Sequence, residues 1–119
     1  MMWYTINIHI KEKENMNFSI DMIQELIRND KIQWRGHILI RMQQREIKIK
    51  EVIDCINNGE IIEYYESDYP FPSCLILGFT DIHSGVHVVC AVGQDYVWMI
   101  TTYYPDKDQW YEDLKTRRQ

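Results

Sequence analysis

The hydrophobic period of this chain changes at Asn58-Gly59, and that change limits what it can fold into. From Phe18 to Asn58-Gly59 the apolar residues recur at helical spacing; from Ile61 onwards they gather in extended runs rich in β-branched and aromatic residues. Ser19 is a good N-cap for a helix over about residues 20–29, with Phe18 and Ile23 at the spacing of a hydrophobic staple. A second helix opens at His37, after Trp34-Arg35-Gly36, and runs to about Glu46. A third carries Ile49, Val52, Ile53 and Ile56 at i, i+3, i+4 and i+7. Asn58-Gly59 supplies the chemistry that ends it.

Four strands are expected beyond that point, over residues 61–66, 73–80, 86–92 and 96–104. Pro70 and Pro72 force a loop between the first two, and Ser84-Gly85 is a hairpin turn between the middle two. Pro105 stops the last strand, and Asp106 can cap a short helix bearing Trp110 and Leu114 on one face. Tyr4, Ile6, Ile8 and Ile10 alternate as in a further strand, over residues 3–10. The fold class is α+β: N-terminal helices packed on a twisted antiparallel sheet of about four strands, with a closing C-terminal helix.

At 119 residues the chain is expected to form one domain, and its 45% hydrophobic and 26% charged residues are those of a globular protein. No apolar run approaches the ~20 residues that span a bilayer, so no membrane partner is expected. The first residues, MMWYTINIHIKEKEN, lack the layout of a signal peptide. Cys55, Cys74 and Cys90 are widely spaced among apolar neighbours, which reads as reduced core thiols in a cytoplasmic protein. Phosphate-binding glycine loops, zinc-protease helices, nucleophile elbows and EF-hand loops are all missing from the sequence. His83, His87 and Cys90 are close in sequence, but His87 and Cys90 are an odd number of residues apart on one strand and face opposite sides. No metal and no cofactor is expected.

The net charge of -5 conceals an asymmetry. Residues 31–50 hold Lys31, Arg35, Arg41, Arg45, Lys48 and Lys50 against Glu46 alone, a balance of +5, leaving -10 for the rest. A basic island on an acidic body can bind phosphate locally. Within it, His37, Arg41 and Arg45 form a helical stripe about 80° wide. Arginine grips phosphate through a planar fork, and an imidazole exchanges protons near neutrality. The alternative is structural, with both arginines paired to carboxylates of the sheet and His37 capping the helix. On the last strand, strict alternation puts Met99, Thr101 and Tyr103 on one face and Trp98, Ile100, Thr102 and Tyr104 on the other.

The string H-x3-R-M-x2-R-x-I, followed by NGEIIEYY, DYPFPSCLILGF, HVVCAV and ITTYYPD-x3-W, resembles the bacterial domain-of-unknown-function family 4258 over residues 16–118. The resemblance makes residues 1–15 an extension of a single domain over 16–119, with the possibility that translation starts at Met16. It implies a fold similar to the RelE, ParE and MqsR toxins, and a neighbouring antitoxin of the YgiT type, a zinc finger with a helix-turn-helix. It also carries the family's histidines and arginines onto His37, Arg41, Arg45 and His87, and its closing T-x-Y onto Thr101 and Tyr103, with Arg35 in the same opening segment. Lys48 stands where the family would have a capping Ser or Thr.

The expectation is therefore the toxin of a type II toxin–antitoxin system, a metal-independent endoribonuclease acting through attack of the RNA 2′-hydroxyl. His37 or His87 would move protons and Arg41 and Arg45 would hold the phosphate; Tyr103 would stack on or hydrogen-bond the substrate, which Thr101 and Arg35 would orient. A non-catalytic protein-interaction module on the same fold is the competing expectation, and it accounts better for the acidic body.

Overall fold

The computed structural model describes residues 18–80 and 85–119. The expected strand over 3–10, the proposed extension 1–15, His83 and the Ser84 half of the hairpin turn lie outside the described residues. Three helices and a five-stranded sheet make up the described fold: α1 (Ile20–Arg28), β1 (Ile32–Trp34), α2 (Gly36–Arg45), α3 (Ile49–Asn57), β2 (Glu60–Tyr65), β3 (Ser73–Gly78), β4 (Val86–Gly93) and β5 (Tyr96–Tyr103). The α+β class and the helix positions agree with the sequence pattern.

Local chemistry accounts for the helix ends. Ser19 caps α1 by accepting the Met22 N–H at 3.2 Å, and Phe18 and Ile23 are buried together in the core. At the start of α3, Lys48 occupies the cap, and the Glu51 carboxylate accepts its backbone N–H at 3.0 Å. That bond replaces part of what a capping hydroxyl would do. α2 ends on Glu46, whose left-handed backbone turns the chain towards α3.

The sheet has the order β1-β5-β4-β3-β2, with β1 parallel to β5 and every other pair antiparallel. Two expectations are corrected here: the sheet is mixed, and it has five strands. β1 is three residues long, too short for a period to register, and it pairs with the far end of the chain. Its ladder continues through Val97 N to Lys31 O and Arg35 N to Met99 O, which fixes the start of α2 against β5.

One face of the sheet packs on the helices. Val86, Val88, Cys90, Val97 and Met99 meet Ile23, Ile38, Met42, Val52, Cys55 and Ile56 in one buried cluster. All three cysteines are buried and free, as their apolar surroundings suggest. Gly78 is required here: a Cβ on it would strike the backbone of Cys55 in α3. Burial of α3 on β3 therefore depends on a residue without a side chain.

The other face carries a third correction. Residues 105–119 form no closing helix; they cross the sheet as a series of turns, pinned by a bridge between Trp110 and Arg117. Asp106 accepts the Asp108 N–H, and Asp113 accepts the N–H groups of Lys115 and Thr116 and the Thr116 hydroxyl. These side chains close local turns that compete with helical hydrogen bonding. Trp110 is still buried, at 2% exposure, but as the plug of a strap rather than on a helix.

Candidate functional site

The alternation expected for β5 fails at a bulge. Val89 pairs with Thr101 and Cys90 with Met99, leaving Ile100 as the extra residue. Directly paired residues share a face, so Thr101 and Tyr103 lie with His87, Val89 and Trp98, and not with Met99. The bulge thus brings the hydroxyls of Thr101 and Tyr103 onto the same surface as the Trp98 indole.

That surface is bordered by α2. Arg45 reaches β5 beyond the end of β1, donating from Nη1 to the Thr102 carbonyl at 2.7 Å and to Thr101 Oγ1 at 3.4 Å. It satisfies a strand-edge carbonyl and is half-buried. Arg41 and His37 are exposed, and neither has a hydrogen bond or ion pair among the described residues. Arg35, held by its ladder bond to Met99, lays its guanidinium 5.7 Å from the Trp98 ring centroid. Arg35 is the N-cap residue of α2 but makes no side-chain cap, so the first-turn N–H groups retain their affinity for anions.

His87 is in a different setting. It is fully buried, with Trp110 edge-on at 4.6 Å and Tyr103 at 5.4 Å between ring centroids. Its Nε2 donates to the Leu114 carbonyl at 2.7 Å, which fixes the tautomer. Nδ1 is then the acceptor facing the Tyr103 hydroxyl at 3.4 Å. Burial pushes the imidazole below its ordinary pKa and the Tyr103 phenol above its own. Arg117 closes the strap over this pair, binding Glu63 through Nε and Nη2 at 2.8 and 3.0 Å and lying 4.5 Å from the Trp110 ring.

The sequence-derived residues therefore fall into two groups. His37, Arg35 and Trp98 stand at the start of α2; Arg45, Thr101, Tyr103 and His87 stand at its end, roughly 12 Å further along the helix axis. Arg41 lies between them. His87 reaches no solvent while the strap is seated, so of the two histidines among the described residues His37 is the one with an accessible imidazole.

Sequence reasoning missed a cavity of about 480 Å3 beside His37. Arg35, His37, Asp68, Tyr69, Phe71 and Trp98 contribute to its lining. Its only sequence signal was the aromatic and proline content of the 68–72 loop. Among the described residues, no three His, Cys, Asp or Glu side chains converge to hold a metal ion, and no helix is long and apolar enough to cross a membrane.

Residues 34–104 match the family model of DUF4258, a domain of unknown function. The chain belongs to the DUF4258 family. The match takes in α2, the whole bulged β5 surface and the cavity, while the C-terminal strap follows it. No curated protein and no solved structure matches this DUF4258 chain.

Proposed function

We propose that this DUF4258 domain binds single-stranded RNA along α2 and β5 and cleaves it without a metal ion, as the RelE-like toxin of a type II system in the cytoplasm. The observation that carries the reading is an exposed imidazole, His37, set between two arginines and an aromatic cavity. Cations that track a backbone beside rings that stack on bases are the recurrent means of holding a single strand.

In this mechanism His37 takes the proton of the 2′-hydroxyl. The 2′-oxygen bonds to phosphorus, the bond from phosphorus to the 5′-oxygen breaks, and that oxygen takes a proton from water. Arg41 and Arg35 stabilise the charge that builds on the phosphoryl oxygens. Arg45, Thr101 and Tyr103 hold the neighbouring nucleotide, and His87 acts on Tyr103 from beneath. The products are a 2′,3′-cyclic phosphate and a 5′-hydroxyl. A YgiT-type antitoxin would neutralise the protein by covering the basic stripe.

The test is incubation of purified protein with RNA in EDTA. Cyclic-phosphate fragments are expected, and His37→Ala should abolish them at unchanged melting temperature. Cleavage that requires an added divalent ion, or that survives in His37→Ala, would overturn the mechanism. A second reading, a protein-interaction module, is favoured by Leu39 and Ile40, which α2 leaves 45% and 55% exposed. That reading requires partner binding without any RNA cleavage.

A further inference from the structure

The cavity beside His37 has walls of three distinct chemistries. Phe71 and Trp98 are stacked at 5.7 Å with 30° between their planes, giving an apolar aromatic wall. That wall is rigidly built: a Cβ on Gly93 would collide with the Phe71 ring, and Trp98 Nε1 donates to the Gly93 carbonyl at 3.0 Å. Tyr69, 93% exposed, stands at the rim with a ring free to close on an occupant. Arg35 supplies a cation and His37 an exposed imidazole. Asp68 supplies a carboxylate.

Asp68 is held rather than loose. The hydroxyl of Ser73, itself buried, donates to Asp68 Oδ2. Oδ1 has no partner among the described residues. An exposed loop carboxylate is thus oriented from below with an oxygen available to a ligand. A purely anionic ligand would be repelled by Asp68, and a basic peptide side chain by Arg35. A nucleotide satisfies all three walls, with its base on the rings and its phosphate on the Arg35 guanidinium.

We propose that this cavity is a base-recognition subsite for guanine, with Asp68 as the specificity-determining residue. A carboxylate only accepts hydrogen bonds, so it selects a base edge that offers donors. Guanine presents N1–H and an exocyclic N2–H side by side. Adenine and cytosine place their amino group beside an acceptor nitrogen, and uracil has one N–H between two carbonyls. The inference rests on the RNA-binding reading and names the nucleotide held next to the cleaved bond.

Guanosine, adenosine, cytidine and uridine 3′-monophosphates, titrated into the intact protein and followed by amide chemical shifts, test it without any cleavage. The guanosine nucleotide should bind about tenfold tighter than the others, the factor typical of one satisfied pair of base-edge hydrogen bonds. Asp68→Asn, which replaces an acceptor with a donor, should erase the preference while retaining phosphate-dependent binding. Ser73→Ala should weaken the preference by releasing Asp68. Equal affinity for all four nucleotides, or a guanine preference retained in Asp68→Asn, overturns the subsite. Asp68-dependent guanine binding with intact RNA left uncut upholds the subsite and overturns the ribonuclease. Cleavage without bias towards guanosine does the reverse.

Discussion

A histidine kept dry under a tryptophan is a stability element with a defined pH response. In the unfolded chain His87 binds its proton near pH 6.5, whereas in the folded protein burial lowers its affinity for that proton. Below about pH 6.5 the unfolded state therefore holds more protons, so stability is complete above that pH and declines as pH falls. The melting temperature should drop between about pH 7.5 and 5.5, and His87→Gln should flatten that slope even if it lowers the whole curve. Glu63 adds a second decline at more acid pH, below its ordinary 4.5, because the Arg117 hydrogen bonds hold its carboxyl down. The arginines of the stripe separate by the same kind of reasoning. Arg41 has no partner among the described residues, so Arg41→Ala should leave the melting temperature unmoved. Arg45→Ala leaves the Thr102 carbonyl without its donor and should cost about 1–2 kcal/mol by denaturant unfolding. The i, i+4 spacing made this stripe legible in the sequence. The split between one free arginine and one engaged arginine was not legible, because Arg45's partner lies 57 residues away.

At the scale of elements, short-range patterns were readable and long-range ones were hidden. Caps and periodicity located α1, α2 and α3 to within a residue or two, and the β-branched runs located β2 to β5. β1 escaped because three residues cannot establish a period, yet its pairing with β5 is what carries Arg35 to Trp98. The bulge at Ile100 escaped because alternation was assumed unbroken, and one inserted residue transferred Thr101 and Tyr103 to the other face. The C-terminal strap was misread for a related reason: Trp110 and Leu114 have helical spacing, but Asp106 and Asp113 satisfy the backbone as turns. The strap's attachment is apolar before it is ionic. Trp110→Ala should destabilise the fold by ~3–5 kcal/mol, as expected for emptying a buried aromatic site. Arg117→Ala, breaking a pair in which Arg117 is 56% exposed, should cost less than about 1 kcal/mol. Denaturant titration of the two variants distinguishes these cases, and comparable losses would mean that the ion pair anchors the strap.

For the molecule as a whole, the charge asymmetry sets the conditions under which a nucleic acid can approach. The net charge of -5 repels a polyanion at long range, while residues 31–50 attract it locally with a balance of +5. At high ionic strength both fields are screened, and only direct contacts remain. Each phosphate neutralised on a single strand contributes roughly -0.7 to the slope of log K against log salt concentration. Arg35, Arg41 and Arg45 acting together therefore predict a slope of about -2 for an oligoribonucleotide measured by fluorescence anisotropy. Arg41→Ala should reduce the slope by about 0.7 at unchanged folding stability, because that side chain is exposed and has no hydrogen bond or ion pair among the described residues. Arg45→Ala should reduce it as well but also lower the melting temperature, since Arg45 supports the β5 edge. A slope unaffected by Arg41→Ala would move the bound strand away from α2, and the exposed stripe would then have no role in holding RNA.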